Sequence, residues 1–410
     1  MSQLTLPLMA ALTPKQHQVR VVDENVEPID FDLPVDLVAI TALTPIAPRA
    51  YQVADEFRKR GIKVVLGGVH PSLMADEAAA HADAVVIGES EEIWPLLLAD
   101  LENGGMKARY IAEAKPDLRD LPFPRRELMK RDAYLNIPKV ETSRGCPFRC
   151  SFCSTTIFYG PRMRFRPVED VVAEVKSVRH RFVFFTDNNI TANKNYAKRL
   201  FKALAPLGVY WLSQGSIDMA DDLELMKLAR ASGCAGMLVG FESLSEENIA
   251  RMGKKASNRV EEYEEKIDIF HRHKIGLIGC FVFGFDGDDK GVFARTVDFI
   301  ERNNVDCPQL TVLTPYPGTS LRDELQAQGR ILHSQWEKYD VGNVVFEPKQ
   351  MTAEELQEGY NWACERVYSL PAIIKRGIRS LRYLKNPYRS YVFARNSSIY
   401  RKLFQVSQQD

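Results

Sequence analysis

The most informative segment of this sequence is Ser143-Arg144-Gly145-Cys146-Pro147-Phe148-Arg149-Cys150-Ser151-Phe152-Cys153. Its three cysteines have the spacing C-x3-C-x2-C, with an aromatic residue just before the last one. A cubane [4Fe–4S] cluster normally takes four thiolates. Three thiolates on one short loop hold three irons and leave the fourth iron open to a small molecule. We therefore expect Cys146, Cys150 and Cys153 to ligate an iron–sulfur cluster that does chemistry.

Closely spaced cysteines also occur in zinc sites and in disulfides. A structural zinc site needs a fourth Cys or His, but no His lies between His81 and His180, and no Cys outside the trio precedes Cys234. A zinc site with a fourth ligand from a distant part of the chain stays an open alternative. The chain has seven cysteines, an odd number, and nothing in it suggests secretion, so a disulfide framework is disfavoured.

Length and composition indicate an ordinary core-forming protein. The 410 residues suffice for two domains, or for one barrel with additions. Hydrophobic residues make up 45% and charged residues 26% of the chain, and no apolar run approaches the ~20 residues of a membrane span. The N-terminus lacks the cationic region of a signal peptide. We expect a cytoplasmic protein, because thiolates stay reduced there and an oxygen-sensitive cluster survives.

Residues 1–112 alternate β-rich runs with helical patterns, which is typical of a parallel α/β layer. A doubly wound domain usually opens with a strand and a ligand-binding loop, and here that opening is absent. The sequence therefore predicts a truncated Rossmann-like domain. Its predicted strands are Val19–Asp23, Leu37–Thr41, Lys63–Leu66 and Ala84–Ile87, and its predicted helices are Leu4–Leu12, Arg49–Arg60 and Glu91–Leu101.

The rest of the chain divides into a connector, a barrel and an extension. Residues 113–137 carry several prolines and little periodicity, which indicates a connector. Six β/α units between 138 and 330 predict a partial (β/α)6 barrel of the TIM type, with its site at the carboxyl ends of the strands. Residues 331–410 are predicted to form a largely helical, basic extension. The predicted barrel strands are Lys139–Thr142, Phe182–Thr186, Val209–Gln214, Gly236–Phe241, Ile275–Phe283 and Gln309–Thr314.

Residues suited to a binding site follow the predicted barrel strands. Taken singly they have structural explanations, since Asp187 can cap the next helix, Glu242 can form a salt bridge, and glycines allow close strand packing. As ordered partners of the cysteine loop they support one another. These candidates are Asp187, Asn188, Asn189, Gln214, Ser216, Glu242, Phe283 and Gly284.

The cysteine motif and these strand ends together resemble the radical S-adenosylmethionine (SAM) enzymes. The resemblance implies that SAM chelates the open iron and that the reduced cluster cleaves it to a 5′-deoxyadenosyl radical. It implies a SAM site at the candidate residues. Asp187, Asn188 and Asn189 would lie where the family binds the SAM amino group, Glu242 would accept from ribose hydroxyls, and the strand through Phe283 and Gly284 would contact adenine.

The whole chain resembles the branch of this family that carries an N-terminal cobalamin-binding domain. Thr41-Ala42-Leu43 stands where such domains place a Ser-x-Leu turn, and Gly67-Gly68 begins 26 residues after Thr41. The resemblance implies a cobalamin site at Thr41, Leu43, Gly67 and Gly68. The usual lower-ligand motif, Asp-x-His-x-x-Gly, does not occur. The missing first strand leaves two explanations open: a start upstream of Met1, or a domain that no longer binds cobalamin.

The C-terminal region concentrates positive charge. Between Arg366 and Lys402 there are ten Lys or Arg and no Asp or Glu, interleaved with apolar and aromatic residues. Such a tail suits peripheral contact with an anionic membrane surface. A helical tail packed on the protein, with its cationic side solvated, is the alternative.

These observations predict a radical SAM enzyme that functionalises an unactivated C–H bond, by cobalamin-dependent C-methylation of a lipid-like or other secondary metabolite. The expected partners are a small-molecule substrate and an electron donor such as flavodoxin or ferredoxin, and no nucleic acid. Two alternatives stay open. One is a cobalamin-independent radical SAM oxidoreductase, cyclase or mutase, and the other is an iron–sulfur sensor or binding protein without turnover.

Overall fold

The computed structural model describes residues 4–130, 134, 137–385 and 393–402. It contains a four-stranded sheet, a six-stranded sheet and a two-stranded ribbon. The predicted architecture, an N-terminal α/β layer followed by a partial (β/α)6 barrel, is confirmed. Across these residues, no helix combines the length and apolarity that crossing a bilayer requires. Parts of the predicted connector and tail, residues 131–133, 135–136, 386–392 and 403–410, lie outside the described residues.

The N-terminal sheet is parallel, and its strands lie in chain order. Its elements are α1 (Thr5–Leu12), β1 (Leu37–Thr41), α2 (Ala47–Lys59), β2 (Lys63–Gly67), α3 (Val69–Leu73), α4 (Ala75–Ala80), β3 (Ala84–Ile87), α5 (Ile93–Glu102) and β4 (Arg109–Ile111). Val64 and Leu66 pack with Phe57 of α2 on one face, while Val65 and Val86 pack with Trp94 of α5 on the other. Helices cover both faces, which is why these strands read as continuous apolar runs.

The prediction was wrong at two places in this layer. Residues 19–23 are not a strand, although their valines favour one, because no neighbouring strand pairs with them in the described structure. The three-residue strand β4 was not predicted, because Arg109–Ile111 is too short to show a period. No strand precedes β1 in the described residues.

The barrel sheet has the order β5-β8-β9-β10-β11-β12, and every pairing is parallel. Its elements are β5 (Lys139–Val140), β6 (Ser143–Arg144), α6 (Ser154–Tyr159), β7 (Arg164–Phe165), α7 (Val168–Ser177), β8 (Phe182–Phe185), α8 (Lys194–Leu204), β9 (Tyr210–Gly215), α9 (Leu223–Ala231), β10 (Cys234–Glu242), α10 (Glu246–Arg251), α11 (Tyr263–Arg272), β11 (Gly276–Phe283), α12 (Val292–Arg302) and β12 (Cys307–Val312). The first and last strands do not pair, so the barrel is open. Strands β6 and β7 pair antiparallel as a ribbon that flanks the cysteine loop.

The C-terminal extension closes the amino-terminal end of the barrel. It begins beyond α13 (Ser320–Ala327) and contains α14 (Ala353–Val367), α15 (Leu370–Leu384) and a helical segment at 393–402. The ring of Phe393 is buried over Gly236 and Gly276, where a Cβ atom on either glycine would come within 2.4 Å of it. Two glycines at the strand starts therefore leave room for an aromatic side chain that fills the barrel floor.

Candidate functional site

The cysteine loop leaves β6 at the carboxyl end of the barrel. Cys146, Cys150 and Cys153 are partly exposed and form no disulfide. The loop is held from both sides, because the amide of Ser151 donates to the carbonyl of Met252 at 3.1 Å and its own carbonyl accepts from Leu321. Gly145 has a φ of 93°, and a Cβ there would lie 2.7 Å from a backbone oxygen. Glycine is therefore required where the chain turns into the loop.

The donor chemistry of this loop fits an iron–sulfur cluster. Burial raises the pKa of Cys146, and it raises that of Cys150 to about 12. A bound iron replaces the proton of such a thiol. Among the described residues, no three Cys, His, Asp or Glu side chains are grouped to hold one metal ion. The case for a cluster therefore rests on the thiol chemistry and the motif.

A lysine that the sequence analysis missed lies beside the loop. The buried ammonium of Lys254 donates to Glu242 at 2.5 Å and to the carbonyl of Gly240 at 2.9 Å. Burial alone would lower the pKa of Lys254, but the negative charge of Glu242 and its proximity to Cys150 raise it above the usual lysine value. The site thus contains a fixed cation next to Cys150, a predicted cluster ligand.

Glu242 reaches this position through an irregular strand end. The register between β10 and β11 shifts between Gly240 and Glu242, and Glu242 has a φ of 64°. A bulge of this kind re-aims a side chain at a sheet edge, and a positive φ outside glycine is a strained conformation. The carboxylate of Glu242 therefore lies at the cysteine loop, as predicted from the sequence, but there it is paired with Lys254.

The residues after β8 and β9 form a second hydrogen-bonded group. Asp187 is fully buried and accepts from the hydroxyls of Thr142 and Ser143 at 2.6 and 2.5 Å, immediately before the cysteine loop. Asn189 donates to the hydroxyl of Ser216 at 3.2 Å. The contacts of Asp187 thus support the base of the loop, while the side chains of Asn188 and Gln214 are partly exposed at the same edge.

Phe283 and Gly284 lie in the core at the end of β11. The ring of Phe283 is 1% exposed and packs against Phe293, with ring centres 5.0 Å apart. Gly284 has a φ of 106°, and a Cβ there would approach Leu356 of α14 at 2.8 Å. These contacts explain why the two residues are aromatic and small, and a contact with adenine stays a prediction.

The four residues predicted to bind cobalamin come together at the carboxyl edge of the N-terminal sheet. Thr41 pairs with Gly67 across β1 and β2, and the amide of Ala42 donates to the carbonyl of Gly67 at 3.1 Å. A Cβ on Gly68 would lie 2.5 Å from the hydroxyl oxygen of Thr41. The side chain of Leu43 is 57% exposed. Glycines that free the backbone, beside an exposed apolar side chain, fit a bulky ring with a long tail.

Every histidine among residues 4–112 already has a partner. His70 is buried between the Thr44 hydroxyl at 3.2 Å and Glu77 at 3.3 Å. His81 contacts Asp55, and His17 contacts Glu102. His70 uses both of its ring nitrogens in these contacts, so it would have to break one of them to ligate a metal.

An ionic cluster joins the two candidate cofactor loops. Glu89, in the loop between β3 and α5, accepts from Arg144 at 2.7 Å and from Arg164 at 2.7 Å. Arg144 also contacts Glu91 and binds both oxygens of Glu141 at 2.9 Å. These groups are nearly inaccessible, since the side chains of Glu89 and Arg144 are 2% and 6% exposed. The carboxylate of Glu89, in the N-terminal domain, is therefore paired with Arg144, the residue two positions before Cys146.

Two family models match separate parts of the chain. Residues 140–300 match the radical SAM superfamily, and residues 6–98 match the B12 binding domain. The first match contains the cysteine loop and β6 to β11, and the second contains β1 to β3.

Two curated relatives from Chlorobaculum tepidum are similar over most of the chain. Bacteriochlorophyllide d C-12(1)-methyltransferase is 35% identical over 386 residues, covering 91% of this chain and 84% of the relative. Bacteriochlorophyllide d C-8(2)-methyltransferase is 30% identical over 421 residues, covering 98% and 93%. The hopanoid C-2 methylase of Rhodopseudomonas palustris is 24% identical, covering 80% and 65%.

Solved structures show the same fold. OxsB, a cobalamin-dependent SAM radical enzyme with aqua-cobalamin and SAM bound, has a TM-score of 0.69 at 15% identity, covering 98% of this chain and 69% of OxsB. The radical SAM methyltransferase TsrM from Kitasatospora setae has a TM-score of 0.66 at 18% identity, covering 80% and 73%.

Proposed function

The chain belongs to the cobalamin-dependent radical SAM methyltransferases, and on that premise we propose that it methylates carbon on a large apolar ring system. It is an enzyme, and its family cofactors are a [4Fe–4S] cluster, SAM and cobalamin. Bound together, these cofactors supply a 5′-deoxyadenosyl radical that takes a hydrogen atom and a methyl group that replaces it.

The contact between Glu89 and Arg144 is the observation that carries the proposal. C-Methylation by this chemistry needs the radical source and the methyl carrier close to the same substrate carbon. The contact joins the loop after β3 to the strand that leads into Cys146, so two loops from different domains are held side by side.

We assign the site residues by their contacts. Cys146, Cys150 and Cys153 hold the cluster, and Lys254 balances negative charge from the cluster and from the carboxylate of SAM. Glu242, released by SAM from part of its contact with Lys254, accepts from the ribose hydroxyls. Asp187 holds the base of the loop through Thr142 and Ser143.

The two relatives from Chlorobaculum tepidum suggest the substrate class. Both of them are named for bacteriochlorophyllide d, a large ring pigment, so we propose a tetrapyrrole of the chlorin type. Apolar side chains at the junction of the domains support this, since Leu73 and Ile157 both approach Gly318. The lipid-like substrate expected from the sequence is the competing class, and the hopanoid methylase favours it.

The surroundings of the enzyme follow from the same chemistry. We propose a cytoplasmic setting, because the cluster needs reducing conditions, and a flavodoxin or ferredoxin as the electron donor to the partly exposed cysteine loop. We also propose that the basic tail makes a peripheral contact with a membrane surface, since residues 366–402 carry no acidic side chain.

Anaerobic reconstitution tests the proposal directly. The protein is loaded with iron and sulfide, with and without hydroxocobalamin, and iron, sulfide and cobalt are counted per chain. Dithionite and SAM are then added with a chlorin or a hopanoid. About four irons, stoichiometric cobalt, and methylated chlorin with 5′-deoxyadenosine and S-adenosylhomocysteine support it.

Each other outcome overturns one part of the proposal. Methylated hopanoid with unmodified chlorin replaces the substrate class. Iron and 5′-deoxyadenosine without cobalt retention favour the cobalamin-independent oxidoreductase, cyclase or mutase.

A further inference from the structure

Helix α15 exposes a stripe of large apolar side chains. Leu370, Ile374, Ile378 and Leu381 are 54%, 59%, 54% and 42% exposed. At about 100° per residue, their spacing places all four within an arc of about 80°. Scattered exposed hydrophobic residues need no explanation, but a continuous stripe on one helix marks an interaction surface.

A neighbouring face of α15 is fixed on the protein. Ile373, Arg376, Ser380 and Leu384 are buried, and the hydroxyl of Ser380 donates to the buried carboxylate of Asp306. The helix therefore cannot turn its stripe inward without breaking these contacts. The stripe is a fixed part of the surface, and its exposure does not come from a helix that lacks a place to pack.

Positive charge borders the stripe. Lys375 pairs with Glu301 at 3.1 Å, whereas the exposed Arg366, Arg382 and Lys385 form no ion pair within the described part of the chain. No Asp or Glu occurs anywhere from 366 to 402. On the preceding helix, Trp362 is 46% exposed one turn before Arg366.

Charge decides which partner fits this face. A two-fold contact between two copies would bring identical patches together, so cations would face cations. An anionic lipid surface accepts both features, because acyl chains take up the apolar stripe and phosphates take up the cations. Interfacial helices have this division, and Trp is common at the level of the headgroups.

We propose that α15 docks the protein on an anionic bilayer, with Leu370, Ile374, Ile378 and Leu381 at the boundary between headgroups and acyl chains and with Arg382 and Lys385 against lipid phosphates. This inference deepens the peripheral contact proposed above, and it does not depend on the methylation chemistry. The docking face lies at the end of the molecule where α15 meets the barrel floor, away from the cysteine loop.

Vesicle co-sedimentation of the full-length reconstituted protein tests the inference. The probes are phosphatidylcholine vesicles with and without about 30% phosphatidylglycerol, at low and high salt. We expect binding only with the anionic lipid, weakened by salt, and a loss of at least ~10-fold in the double variant Ile374→Asp/Ile378→Asp. The matched control, Leu96→Asp/Leu223→Asp, changes two side chains that are 62% and 55% exposed elsewhere and should bind like the natural protein.

Three results would overturn the inference. They are equal binding to both vesicle types, equal binding by the Ile374→Asp/Ile378→Asp variant, and lipid-free self-association that this variant abolishes, which would assign the stripe to a second copy. Iron content and 5′-deoxyadenosine formation are measured on the same samples. A failure of docking is thereby distinguished from a failure of the proposed enzyme chemistry.

Discussion

Glu89 and Arg144 lie 55 residues apart in the chain, and their side chains meet at 2.7 Å in a nearly inaccessible ion pair. One belongs to the edge of the N-terminal sheet and the other to the strand that enters the cysteine loop. The geometry of the cysteine loop is therefore coupled to the N-terminal domain, which contributes no thiol to that loop.

We expect Glu89→Gln to weaken that coupling. The change removes the counter-charge shared by Arg144 and Arg164; Arg144 keeps Glu91 and Glu141, whereas Arg164 has no other carboxylate partner among the described residues. Breaking a buried ion pair from one side costs about 3–5 kcal/mol. The variant should unfold at lower urea and retain less iron and less cobalt after gel filtration.

Glu24→Gln is the matched control, because Glu24 also pairs with an arginine, Arg49, but both side chains are exposed. An exposed pair contributes about 0–1 kcal/mol, so this variant should resemble the natural protein. If both variants lost stability and metal equally, the buried contact would have no special role.

Replacing any one of Cys146, Cys150 and Cys153 by Ala should abolish the cluster. Each thiol ligates a different iron, so iron should fall from about four to below about one per chain, and 5′-deoxyadenosine should disappear. Cys364→Ala is the control, because Cys364 is buried among the aliphatic core residues. Retained iron in a variant of the trio would remove that residue from the ligand set.

Lys254→Met should weaken SAM binding by more than its loss of folding stability accounts for. Methionine is one heavy atom shorter and uncharged, so it keeps most of the side-chain volume but leaves Glu242 without its 2.5 Å partner. We expect the Kd of SAM, measured anaerobically by calorimetry, to rise at least ~10-fold, because a buried cation is lost beside the cluster.

Lys266→Met separates this effect from general destabilisation. Lys266 is equally buried and pairs with Glu262 at 2.8 Å and with Asp221 at 3.1 Å, on α11 and away from the loop. It should lose comparable stability and keep normal SAM affinity. Equal SAM affinity in both variants would contradict a role for Lys254 in the site.

The carboxyl of Asp187 should give stability a distinctive pH dependence. Burial raises its pKa to about 6, from an ordinary value of 3.8. The folded state then holds the proton more tightly than the unfolded state. The contribution of Asp187 to the free energy of unfolding is therefore complete below about pH 4 and is lost as pH rises through 6. Between pH 5 and 7.5, Asp187→Asn should gain about 1.4 kcal/mol of unfolding free energy relative to the natural protein.

Asp222→Asn provides the comparison for this pH series. Burial alone would raise the pKa of Asp222, but its bond with Lys198 holds the value below the ordinary one. Its titration therefore falls below about pH 4, and its difference from the natural protein should stay flat over the same range. A flat profile for Asp187→Asn as well would show that Asp187 titrates normally.

Much of the fold was predictable because parallel strands leave a local signal. Strand β8 is the run Phe182–Phe185, and its apolar side chains are required by burial on both faces. Residues 19–23 carry the same signal but have no pairing neighbour in the described structure, and pairing is not a local property.

The site was less predictable than the fold. The cysteine spacing is local, so the loop could be identified directly. Lys254 occurs in an ordinary Lys-Lys pair, and only the tertiary structure shows which of the two turns towards Glu242. Asp187 was expected at the SAM amino group, but its hydrogen bonds to Thr142 and Ser143 depend on the pairing of β5 with β8.

The side chain that fills the floor of the barrel is synthesised after all of the barrel strands. Val312 ends the last barrel strand, and Phe393, which fills the floor, follows 81 residues later. At about 5–20 residues per second, a ribosome needs roughly 4–16 s to add them. During that interval the six strands are complete but the floor is unfilled, so a nascent chain that acquired its cluster early would expose the lumen to oxygen and water from below.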